Sequence, residues 1–463
     1  LEMHILVKNL KSINSFVSNY IFISNKINNF SKRIRVGSDK SISIRSILLA
    51  SQAAGVSKIS NLLESEDVLN TLKAIRSLGI KYYKHNKIYY IEGFGLNSFN
   101  IKRNTTINAG NSGTLARLIL GMLVKSETKV KLIGDRSLSK RDFSRVIKPL
   151  RQFGVNIKSK NHSLPIEILG TKFLRPIVYD ENIGSAQVKS CIILSSLNTP
   201  GTTVINSRRS RNHTELFLKS LGYPIKIKKI NNFDLIKVEG LRQFNSFTYK
   251  VPGDISSASF FIVLTLLSKK SQIVIENVNV NQSRIGIIRI LNKMGAQIKL
   301  KRKKIYNGEE IADIHVKSKM NLKSINCPSE LNSSAIDEFL IIFLVAAKAK
   351  GISKFKDLGE MNKKESKRLD LAVKFLKLIG IKVDRFNNDI NIHGNPNIRL
   401  SKKFEMKNFL KDHRIFFLSC ITALTLGGVW KIHDKKSANT SFPDFLKILK
   451  IIGAKVKWRE EKV

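Results

Sequence analysis

Charged or amide side chains stand at or just inside the starts of six otherwise apolar segments. The first N–H groups of a buried helix need acceptors, which Ser, Asp, Asn or Gly positions usually provide, and that capping explanation suffices for any single segment. Cations in a first turn oppose the helix dipole and need a counter-charge, which an anionic ligand supplies. Taken together, the six starts therefore indicate a shared anion-binding site. The residues concerned are Lys40, Arg45, Arg117, Gln187, Lys189, Asp254, Asp337, Glu338, Asp412 and Arg414.

These residues belong to one helix type that recurs six times. Each copy joins a polar, cap-rich start to a nearly uniform apolar run, and a helix that is apolar all round is buried. We therefore predict six inner helices. The copies are "SDKSISIRSILLA" (38–50), "NSGTLARLILGML" (111–123), "GSAQVKSCIILSSL" (184–197), "GDISSASFFIVLTLL" (253–267), "SSAIDEFLIIFLVAA" (333–347) and "DHRIFFLSCITAL" (412–424).

A second, amphipathic helix type recurs in register with the first. Each copy places apolar residues at i, i+3, i+4 and i+7 and ends on a glycine suited to a left-handed C-cap. The alternating stretch that follows predicts a short hairpin. One repeat is thus about 70 residues long, with two helices and three or four strands, and six repeats fill the chain from about residue 35. The glycines are Gly79, Gly154, Gly222, Gly295, Gly380 and Gly453.

Length and charge narrow the class of protein. A chain of 463 residues is too long for one ordinary core, so we expect two domains. The 81 Lys and Arg residues against 35 Asp and Glu residues give a net charge of +46, which fits a nucleic acid, an acidic membrane surface or small anionic substrates as partners. The lysines are spread along the chain, and Ile and Asn are abundant as well. We therefore favour an amino-acid composition biased by AT-rich coding as the cause of this charge.

The cysteines and the apolar runs predict a cytoplasmic protein. Cys191, Cys327 and Cys420 lie far apart without a CxxC pair, which favours neither a disulfide framework nor a zinc site. No apolar run approaches the roughly 18 residues that a membrane span needs, so no membrane partner is expected. Residues 1–29 are expected to be an extension of unknown role.

At the charged helix starts, the sequence resembles the enolpyruvyl transferases. Ten motifs follow the order of that family over roughly residues 34 to 453, and an ordered set is much more specific than any single motif. They are "GSDKSISIR" (37–45), "GNSGTLAR" (110–117), "GDRSLSKR" (134–141), "GSAQVKS" (184–190), "SRNHTE" (210–215), "VPGDISSASFF" (251–261), "IDEF" (336–339), "KESKRL" (364–369), "DHR" (412–414) and "SFPDF" (441–445).

The resemblance implies an α/β (α+β) fold of two domains. Each domain would hold three βαβαββ repeats around buried parallel helices, and the chain would cross twice between domains. One domain would span residues 40–252, and the other would combine residues 30–39 with 253–463. The active site would lie in the cleft between them, which would close on substrate.

The implied reaction moves the enolpyruvyl group of phosphoenolpyruvate onto the 5-hydroxyl of shikimate 3-phosphate and releases phosphate. It needs fixed cations, one carboxylate that takes the hydroxyl proton and one acid that protonates carbon. Neither a metal nor an organic cofactor is expected. The expected partners are these two small anionic substrates, without a specific nucleic acid, and the expected state is a monomer.

Motif matching implies a role for each site residue. Asp337 would be the base and Glu365 the acid, with Lys364 beside it and Lys40 in contact with both substrates. Shikimate 3-phosphate would contact Lys40, Ser41, Arg45, Ser185, Ala186, Gln187, either Ser210 or Arg211, Asp337 and Lys364. Phosphoenolpyruvate would contact Lys40, Asn111, Gly113, Thr114, Arg141, Gln187, Arg368 and Arg414, and Arg117 would be a second-rank member of the anion site.

Simpler explanations exist for several of these residues. His413 either orients the catalytic network or is a structural hydrogen-bonding residue. The stretch from Lys363 to Arg368 reads alone as a solvated charged turn, and Asp337 alone reads as a helix cap. The ordered motifs favour the catalytic interpretation of Lys364, Glu365 and Asp337.

Several positions depart from the family pattern: Gly37-Ser38 replaces Pro-Gly, Ile44 a His, Asp142 a Pro, Asn362-Lys363 a frequent Arg-Val, Lys367 an Asp, and Thr440 a frequent Lys. The last change removes a cation from the expected phosphoenolpyruvate site. The residues of the motifs "SAQVKS" and "GDRSLSKR" are similar to those of relatives that are often less sensitive to glyphosate.

Two other functions are alternatives to the shikimate 3-phosphate reaction. The sister transferase that acts on UDP-N-acetylglucosamine usually carries an early Lys-Asn pair and an early cysteine, whereas this chain has Lys40-Ser41 and no cysteine before Cys191. A basic nucleic-acid-binding protein would show a recognition helix with a basic exposed face, and no such pattern occurs. The shikimate 3-phosphate reaction is therefore preferred.

Overall fold

The computed structural model describes residues 17–409 and 412–462. Helices of two kinds alternate along this part of the chain, as the sequence predicts. They are α1 (Lys40–Ala50), α2 (Glu66–Ser77), α3 (Gly113–Met122), α4 (Ser144–Gln152), α5 (Ala186–Leu197), α6 (His213–Ser220), α7 (Ile255–Leu267), α8 (Gly286–Lys293), α9 (Asn332–Ala335), α10 (Phe339–Lys348), α11 (Arg368–Leu378), α12 (His413–Leu426) and α13 (Phe445–Ile452).

The strands are short and fall between these helices. They are β1 (Val17–Ile23), β2 (Ser31–Ile34), β3 (Ala54–Ser60), β4 (Lys81–His85), β5 (Ile88–Phe94), β6 (Thr106–Asn108), β7 (Val130–Ile133), β8 (Asn156–Ser159), β9 (Ile166–Leu169), β10 (Val178–Glu181), β11 (Thr202–Arg208), β12 (Ile225–Ile230), β13 (Phe233–Glu239), β14 (Thr248–Lys250), β15 (Gln272–Asn279), β16 (Lys299–Tyr306), β17 (Glu309–Lys317), β18 (Gly351–Phe355), β19 (Val383–Phe386), β20 (Asp389–Gly394), β21 (Leu400–Met406), β22 (Gly427–His433) and β23 (Lys457–Lys462).

Most strands pair within their own repeat, whereas β14 joins the sheet of the first repeat, β2 that of the fourth and β1 that of the sixth. In the second repeat β6 runs parallel to β7, and the hairpin of β8 and β9 adds antiparallel strands. The sheets over the described residues have the orders β14-β3-β5-β4, β6-β7-β9-β8, β10-β11-β13-β12, β16-β17-β15-β2, β18-β20-β19 and β21-β22-β1-β23. The predicted α/β fold of six repeats is therefore confirmed.

The predicted extension is wrong for part of its length. Strand β1 pairs antiparallel with β22 on one side and with β23 on the other. Ile21 and Ile23 are fully buried there, so this strand is an integral part of the sixth sheet. The only local sign of this strand is the apolar run "YIFI" (20–23), and its pairing partners lie at the other end of the chain. The rest of the expected extension, residues 1–16, lies outside the described residues.

Buried apolar side chains form two separate cores. The first core takes its residues from Ile42 to Val251, and the second from Ile21 to Val36 and from Ile255 to Ala454. The inner helices supply much of both, and every residue of α7 is buried. In the second core aromatic rings pack edge to face, as between Phe260 and Phe417.

The chain passes between the two cores at adjacent points. The Asp39 N–H donates to the carbonyl of Pro252 (2.8 Å), and the Asp254 N–H donates to that of Gly37 (2.9 Å). Asp39 then caps α1 by accepting from the Ile42 N–H, and Asp254 caps α7 by accepting from the Ser256 N–H. The starts of α1 and α7 therefore lie side by side.

One predicted inner helix is broken. The segment 333–347 forms α9 and α10, separated by a turn in which the Glu338 N–H donates to the carbonyl of Ala335 (2.8 Å). The carbonyl of Asp337 leaves the helical pattern because it accepts from Arg414 Nη1 at 2.6 Å. No side chain caps α10, so Asp337 is not a helix cap.

Among the described residues, every helix is too short or too polar to cross a membrane.

Candidate active site

The starts of the inner helices bring residues from both cores together. The Arg211 Nη2 atom lies 2.6 Å from Asp337 Oδ2. Arg211 comes from the stretch that builds the first core, and Asp337 from the stretch that builds the second. The Ser137 hydroxyl donates to the carbonyl of Glu365 at 3.1 Å, again across the two cores. These two contacts bring together segments from both cores that carry predicted site residues.

Asp337 lies among four cations. Its Oδ1 is 3.4 Å from Lys364 Nζ and 3.3 Å from Arg368 Nη1, while Arg211 contacts Oδ2. Burial opposes ionisation, but Lys364 and Arg211, followed by Arg414, hold the pKa of Asp337 well below its usual value. Burial lowers the pKa of Lys364 despite the neighbouring Asp337 charge. Asp337 is therefore an ionised carboxylate with the charge that a general base requires.

Arg368 is almost fully buried and connects three carboxylates. Its Nε donates to Asp412 Oδ2 at 3.0 Å, its Nη2 lies 2.5 Å from Glu365 Oε2, and its Nη1 contacts Asp337. Burial lowers the pKa of Arg368, but these carboxylates raise it above the ordinary value. Asp412 also accepts from the Ser366 hydroxyl at 2.7 Å, which fixes the end of the segment that carries Lys364 and Glu365.

Cationic side chains surround the Glu365 carboxylate. Burial raises its pKa, whereas Arg368 and then Arg141, His413 and Lys40 lower it, and the net pKa lies well below the ordinary value. Its Oε2 is buried, and Arg368 Nη2 is the cation that lies against it. The solvated-turn interpretation of this segment is therefore wrong for Glu365 and Arg368, although Lys367 is exposed.

Lys40 begins α1 beside the start of α7. Its Nζ donates to Asp67 Oδ2 at 2.9 Å, and its N–H donates to Asp254 Oδ2 at 3.4 Å. Burial lowers the pKa of Lys40, but Asp67 and Glu365 outweigh it and raise the pKa above the ordinary value. Asp67 was not predicted from the sequence, because its place in the first turn of α2 is already explained by the helix dipole.

Two arginines converge on the start of α3. The amide of Asn111 accepts from Arg141 Nη2, and a Cβ built on Gly113 would lie 2.8 Å from Arg117 Nη1 and 2.9 Å from Arg141 Nη1. Burial and then Arg141 lower the pKa of Arg117 to about 10. Ser112 caps this helix, so a capped helix and a cluster of cations coincide there.

Gln187 joins α5 to α3. Its Nε2 donates to the Thr114 hydroxyl at 3.1 Å, and its Oε1 accepts from Arg117 Nη1 at 3.1 Å. Ser185 caps α5 through the Val188 N–H, and Ala186 is the first residue of that helix. The predicted α5 residues thus lie next to the cations at the start of α3.

Arg45 is buried on the other side of α5. It donates to the hydroxyls of Thr214 (2.8 Å) and Ser190 (3.0 Å) and to the carbonyl of Ser41 (3.0 Å). Burial lowers its pKa to about 10. Of the two alternatives at 210 and 211, Arg211 reaches Asp337, while the buried hydroxyl of Ser210 has no hydrogen-bond partner among the described residues.

His413 is a neutral, buried residue. Burial lowers its pKa to about 3 even though Asp412 raises it. The Thr440 hydroxyl donates to the carbonyl of Ser437 (2.8 Å), so His413 Nδ1–H is the donor in its 3.2 Å contact with that hydroxyl. Thr440, at the position of the missing family lysine, therefore supports His413 without adding a charge.

Two other departures have local structural explanations. Ile44 is fully buried in the first core, so the side chain there packs instead of titrating. Asp142 accepts from both the N–H (2.8 Å) and the hydroxyl (2.6 Å) of Ser144, the first residue of α4. Asp142 thus precedes the N-cap, Phe143, and fixes the turn before α4 by hydrogen bonding, where the family's Pro would restrict the backbone.

Comparison with known proteins gives one consistent family. EPSP synthase (3-phosphoshikimate 1-carboxyvinyltransferase) is the family whose model matches residues 24–449. The 3-phosphoshikimate 1-carboxyvinyltransferase of Ruthia magnifica subsp. Calyptogena magnifica is 41% identical over 436 residues, which cover 94% of this chain and 98% of the relative. That of Bartonella henselae is 38% identical over 426 residues, covering 91% and 96%.

Solved structures agree with these sequence matches. EPSP synthase from Acinetobacter baumannii superposes with a TM-score of 0.83 at 34% identity, covering 96% of this chain and 100% of that chain. The enolpyruvyl transferase NikO from Streptomyces tendae shares the fold with a TM-score of 0.73 at 13% identity, covering 96% and 99%. This chain therefore belongs to the EPSP synthase family.

Proposed function

We propose that this chain transfers the enolpyruvyl group of phosphoenolpyruvate to the 5-hydroxyl of shikimate 3-phosphate and releases phosphate, with the cleft between the two cores as its active site. The observation that carries this assignment is the pair of ionised carboxylates, Asp337 and Glu365, set among Lys and Arg side chains from both cores. Two polyanionic substrates need that many cations, and the reaction needs two carboxylates.

Phosphoenolpyruvate binds, in this proposal, between the start of α3 and the segment of Arg368 and Arg414. Three features support the site. Arg141 and Arg414 each keep a buried Nε without a hydrogen-bond partner among the described residues, and Gly113 leaves space in front of Arg141. Guanidinium groups bind phosphate and carboxylate in pairs of hydrogen bonds. Asn111 and Thr114 orient Arg141 and Gln187 around that space.

Shikimate 3-phosphate binds beside it, along α1 and α5. Lys40, Ser41 and Arg45 at the start of α1 face Ser185, Ala186 and Gln187 at the start of α5. Of the two alternatives, Arg211 is the better choice for binding shikimate 3-phosphate, because its guanidinium contacts Asp337 and carries a charge that Ser210 lacks. The substrate hydroxyl then lies near both Asp337 and Lys364.

In this proposal the two carboxyl groups carry all the proton transfers of the reaction. Asp337 takes the proton of the 5-hydroxyl as that oxygen bonds to the substituted enol carbon, and Glu365 delivers a proton to the methylene carbon. In the tetrahedral intermediate Glu365 then takes a proton back from the new methyl group, while Asp337 gives its proton to the departing phosphate, which restores the double bond and both carboxyl groups. Lys40 and Arg368 stabilise the charge on the phosphate oxygens throughout.

Three further assignments belong to this proposal. We propose two domains, 40–252 and 30–39 with 253–463, to the second of which β1 adds residues 17–23; the two cores and the adjacent chain crossings at Asp39 and Asp254 support this division. The three cysteines are free and buried, which suits a cytoplasmic location. The proposal also includes a monomer that acts on these two small anionic substrates, without a specific nucleic-acid partner.

A substrate comparison tests the function. Purified protein is incubated with phosphoenolpyruvate and either shikimate 3-phosphate or UDP-N-acetylglucosamine, and released phosphate is measured. We expect turnover only with shikimate 3-phosphate. Turnover only with the sugar nucleotide, or with neither acceptor, would contradict the proposal. A Lys40→Met variant controls for contaminating phosphatase, since its loss of an active-site cation should abolish transfer, whereas Lys58→Met on the exposed face of β3 should not.

A further inference from the structure

The segment that carries Lys364 and Glu365 is held by the first core at two points. Arg145, in the first turn of α4, donates two hydrogen bonds to Glu360, from Nη1 to Oε2 (3.0 Å) and from Nη2 to Oε1 (3.1 Å). The Ser137 hydroxyl donates to the carbonyl of Glu365 at 3.1 Å. Glu360 and Glu365 thus mark two ends of a short stretch, and each end is bound to the opposite core.

The stretch between those contacts has little regular structure of its own. A 3-10 turn covers Gly359–Lys363, and α11 begins only at Arg368. Its backbone therefore lacks the hydrogen-bond ladder that would fix Lys364 and Glu365 from within. Within the second core, side chains hold it instead: Ser366 donates to Asp412, and Asn362 accepts from the Leu369 N–H at 2.9 Å.

We propose that Arg145, Glu360 and Ser137 form an interdomain clasp, and that these three are positioning residues that set Glu365 and Lys364 for proton transfer when the cleft is closed. This inference rests on the proposed function. Two parallel N–H···O bonds between a guanidinium and a carboxylate fix orientation as well as distance. A proton donor must lie within hydrogen-bond reach of the atom that it protonates, so a small displacement of this segment costs rate.

The charges around the clasp support the same role. Burial would raise the pKa of Glu360, but its hydrogen bond from Arg145 and then that from Lys363 lower it to about 2, so the carboxylate is ionised. Arg145 is near enough to Arg117 to lower the pKa of that guanidinium. Glu360 therefore supplies a counter-charge for the cations at the starts of α3 and α4.

A double-mutant cycle with steady-state kinetics tests the clasp. We expect Arg145→Gln and Glu360→Gln each to lower kcat about 10-fold to 100-fold while the KM for shikimate 3-phosphate changes by less than about 2-fold. The double variant should be no worse than either single variant, and the exchanged pair Arg145→Glu with Glu360→Arg should recover most of kcat. Arg33→Gln is the matched control, because Arg33 pairs with Glu276 at 2.8 Å within the second core.

Hydrogen exchange of the amides from 359 to 366 provides a readout that does not depend on turnover. It should accelerate in Arg145→Gln and Glu360→Gln, and not in Arg33→Gln. Wild-type kcat in both single variants, additive losses in the double variant, or an equal loss in Arg33→Gln would overturn the clasp. If the wild-type protein itself fails to turn over shikimate 3-phosphate, the proposed function fails, while the exchange measurement still decides whether the clasp holds the segment.

Discussion

The Asp337 carboxylate lies 2.6 Å from the Arg211 guanidinium, and the two residues come from stretches that build different cores. The proposed base is thus fixed by a cation from the opposite side of the cleft. We expect Asp337→Asn to lower kcat by about 10²-fold to 10⁴-fold, the usual contribution of a general base, because the amide keeps the shape and cannot accept the proton.

The KM for shikimate 3-phosphate should change little in Asp337→Asn, and the midpoint of thermal unfolding should stay near that of the wild type. Asp384→Asn is a suitable control, since Asp384 pairs with His393 at 2.6 Å on a sheet of the same core. Because the pKa of Asp337 is held well below its usual value, it stays ionised above pH 5. An acid limb of kcat/KM above pH 5 that disappears in the variant would contradict this assignment.

The repeat architecture could be predicted from sequence because each element carries its own local signal. The inner helices follow from uniform apolar runs after polar starts, and the outer helices from periodic apolar residues that end on glycine. Strand β1 and the break before α10 could not be predicted. The first depends on pairing with β22 and β23 more than 400 residues away, and the second depends on Arg414 capturing the Asp337 carbonyl.

Glu365 must gain a proton before it can act as an acid. Arg368 and Arg141 hold its pKa well below the ordinary value, and the negative charges of phosphoenolpyruvate at those arginines would remove that effect. The pKa of Glu365 should therefore rise when phosphoenolpyruvate binds. We expect proton uptake of up to about one equivalent on binding near pH 7, measured by calorimetry in buffers of different ionisation enthalpy.

The uptake is best measured in the Asp337→Asn background, where both substrates bind and turnover is slow. Comparing that variant with the Asp337→Asn/Glu365→Gln double variant subtracts the protons that the substrate phosphates exchange. Glu365→Gln should also nearly abolish turnover in an otherwise unchanged chain. Identical uptake in the two backgrounds would show that Glu365 does not acquire the proton.

Gly113 sets the space in front of two arginines. A Cβ there would lie 2.8 Å from Arg117 Nη1 and 2.9 Å from Arg141 Nη1, which is closer than side-chain atoms normally approach. In Gly113→Ala the arginine ends must move, so we expect the KM for phosphoenolpyruvate to rise about 10-fold, equivalent to about 1.4 kcal/mol of binding, with the KM for shikimate 3-phosphate unchanged.

The matched control for Gly113 is Gly222→Ala, because a Cβ at Gly222 would meet no atom within 4 Å. Its positive φ of 74° makes that variant a measure of backbone strain without a change at the site. Gly113→Ala kinetics equal to those of Gly222→Ala would contradict the proposed phosphoenolpyruvate site.

The partners of the site residues were the part that sequence could not supply. Motif order singled out Lys40, Arg368 and Asp412, whereas Asp67, the partner of Lys40, looks like an ordinary first-turn residue, and nothing in the sequence pairs Asp412 with Arg368. Each acts through contacts made across the fold, which no local spacing encodes. The clasp residue Arg145 is hidden for the same reason, as one cation among 81 Lys and Arg residues.

His413 should act as a structural donor and not as a proton switch. Its pKa of about 3 keeps the imidazole neutral across the working range, so His413→Gln should leave the shape of the kcat against pH curve unchanged between pH 5 and 8. Loss of the Nδ1–H contact with Thr440 should lower kcat only several-fold if His413 orients the site, and not at all if its role is confined to packing.

The same depressed pKa makes a prediction for stability. Between the ordinary histidine pKa near 6.5 and about 3, the unfolded chain binds a proton at His413 that the folded chain does not. His413 therefore destabilises the folded state as pH falls below 6.5, by about 1.4 kcal/mol per pH unit.

Between pH 6.5 and 5, His413→Gln should lose less stability to acid than the wild type in urea unfolding. His162→Gln, at an exposed position, should lose as much as the wild type. If the free energy of unfolding fell equally with pH in the wild type and in His413→Gln, His413 would accept a proton in the folded chain. That result would contradict its role as a neutral structural donor.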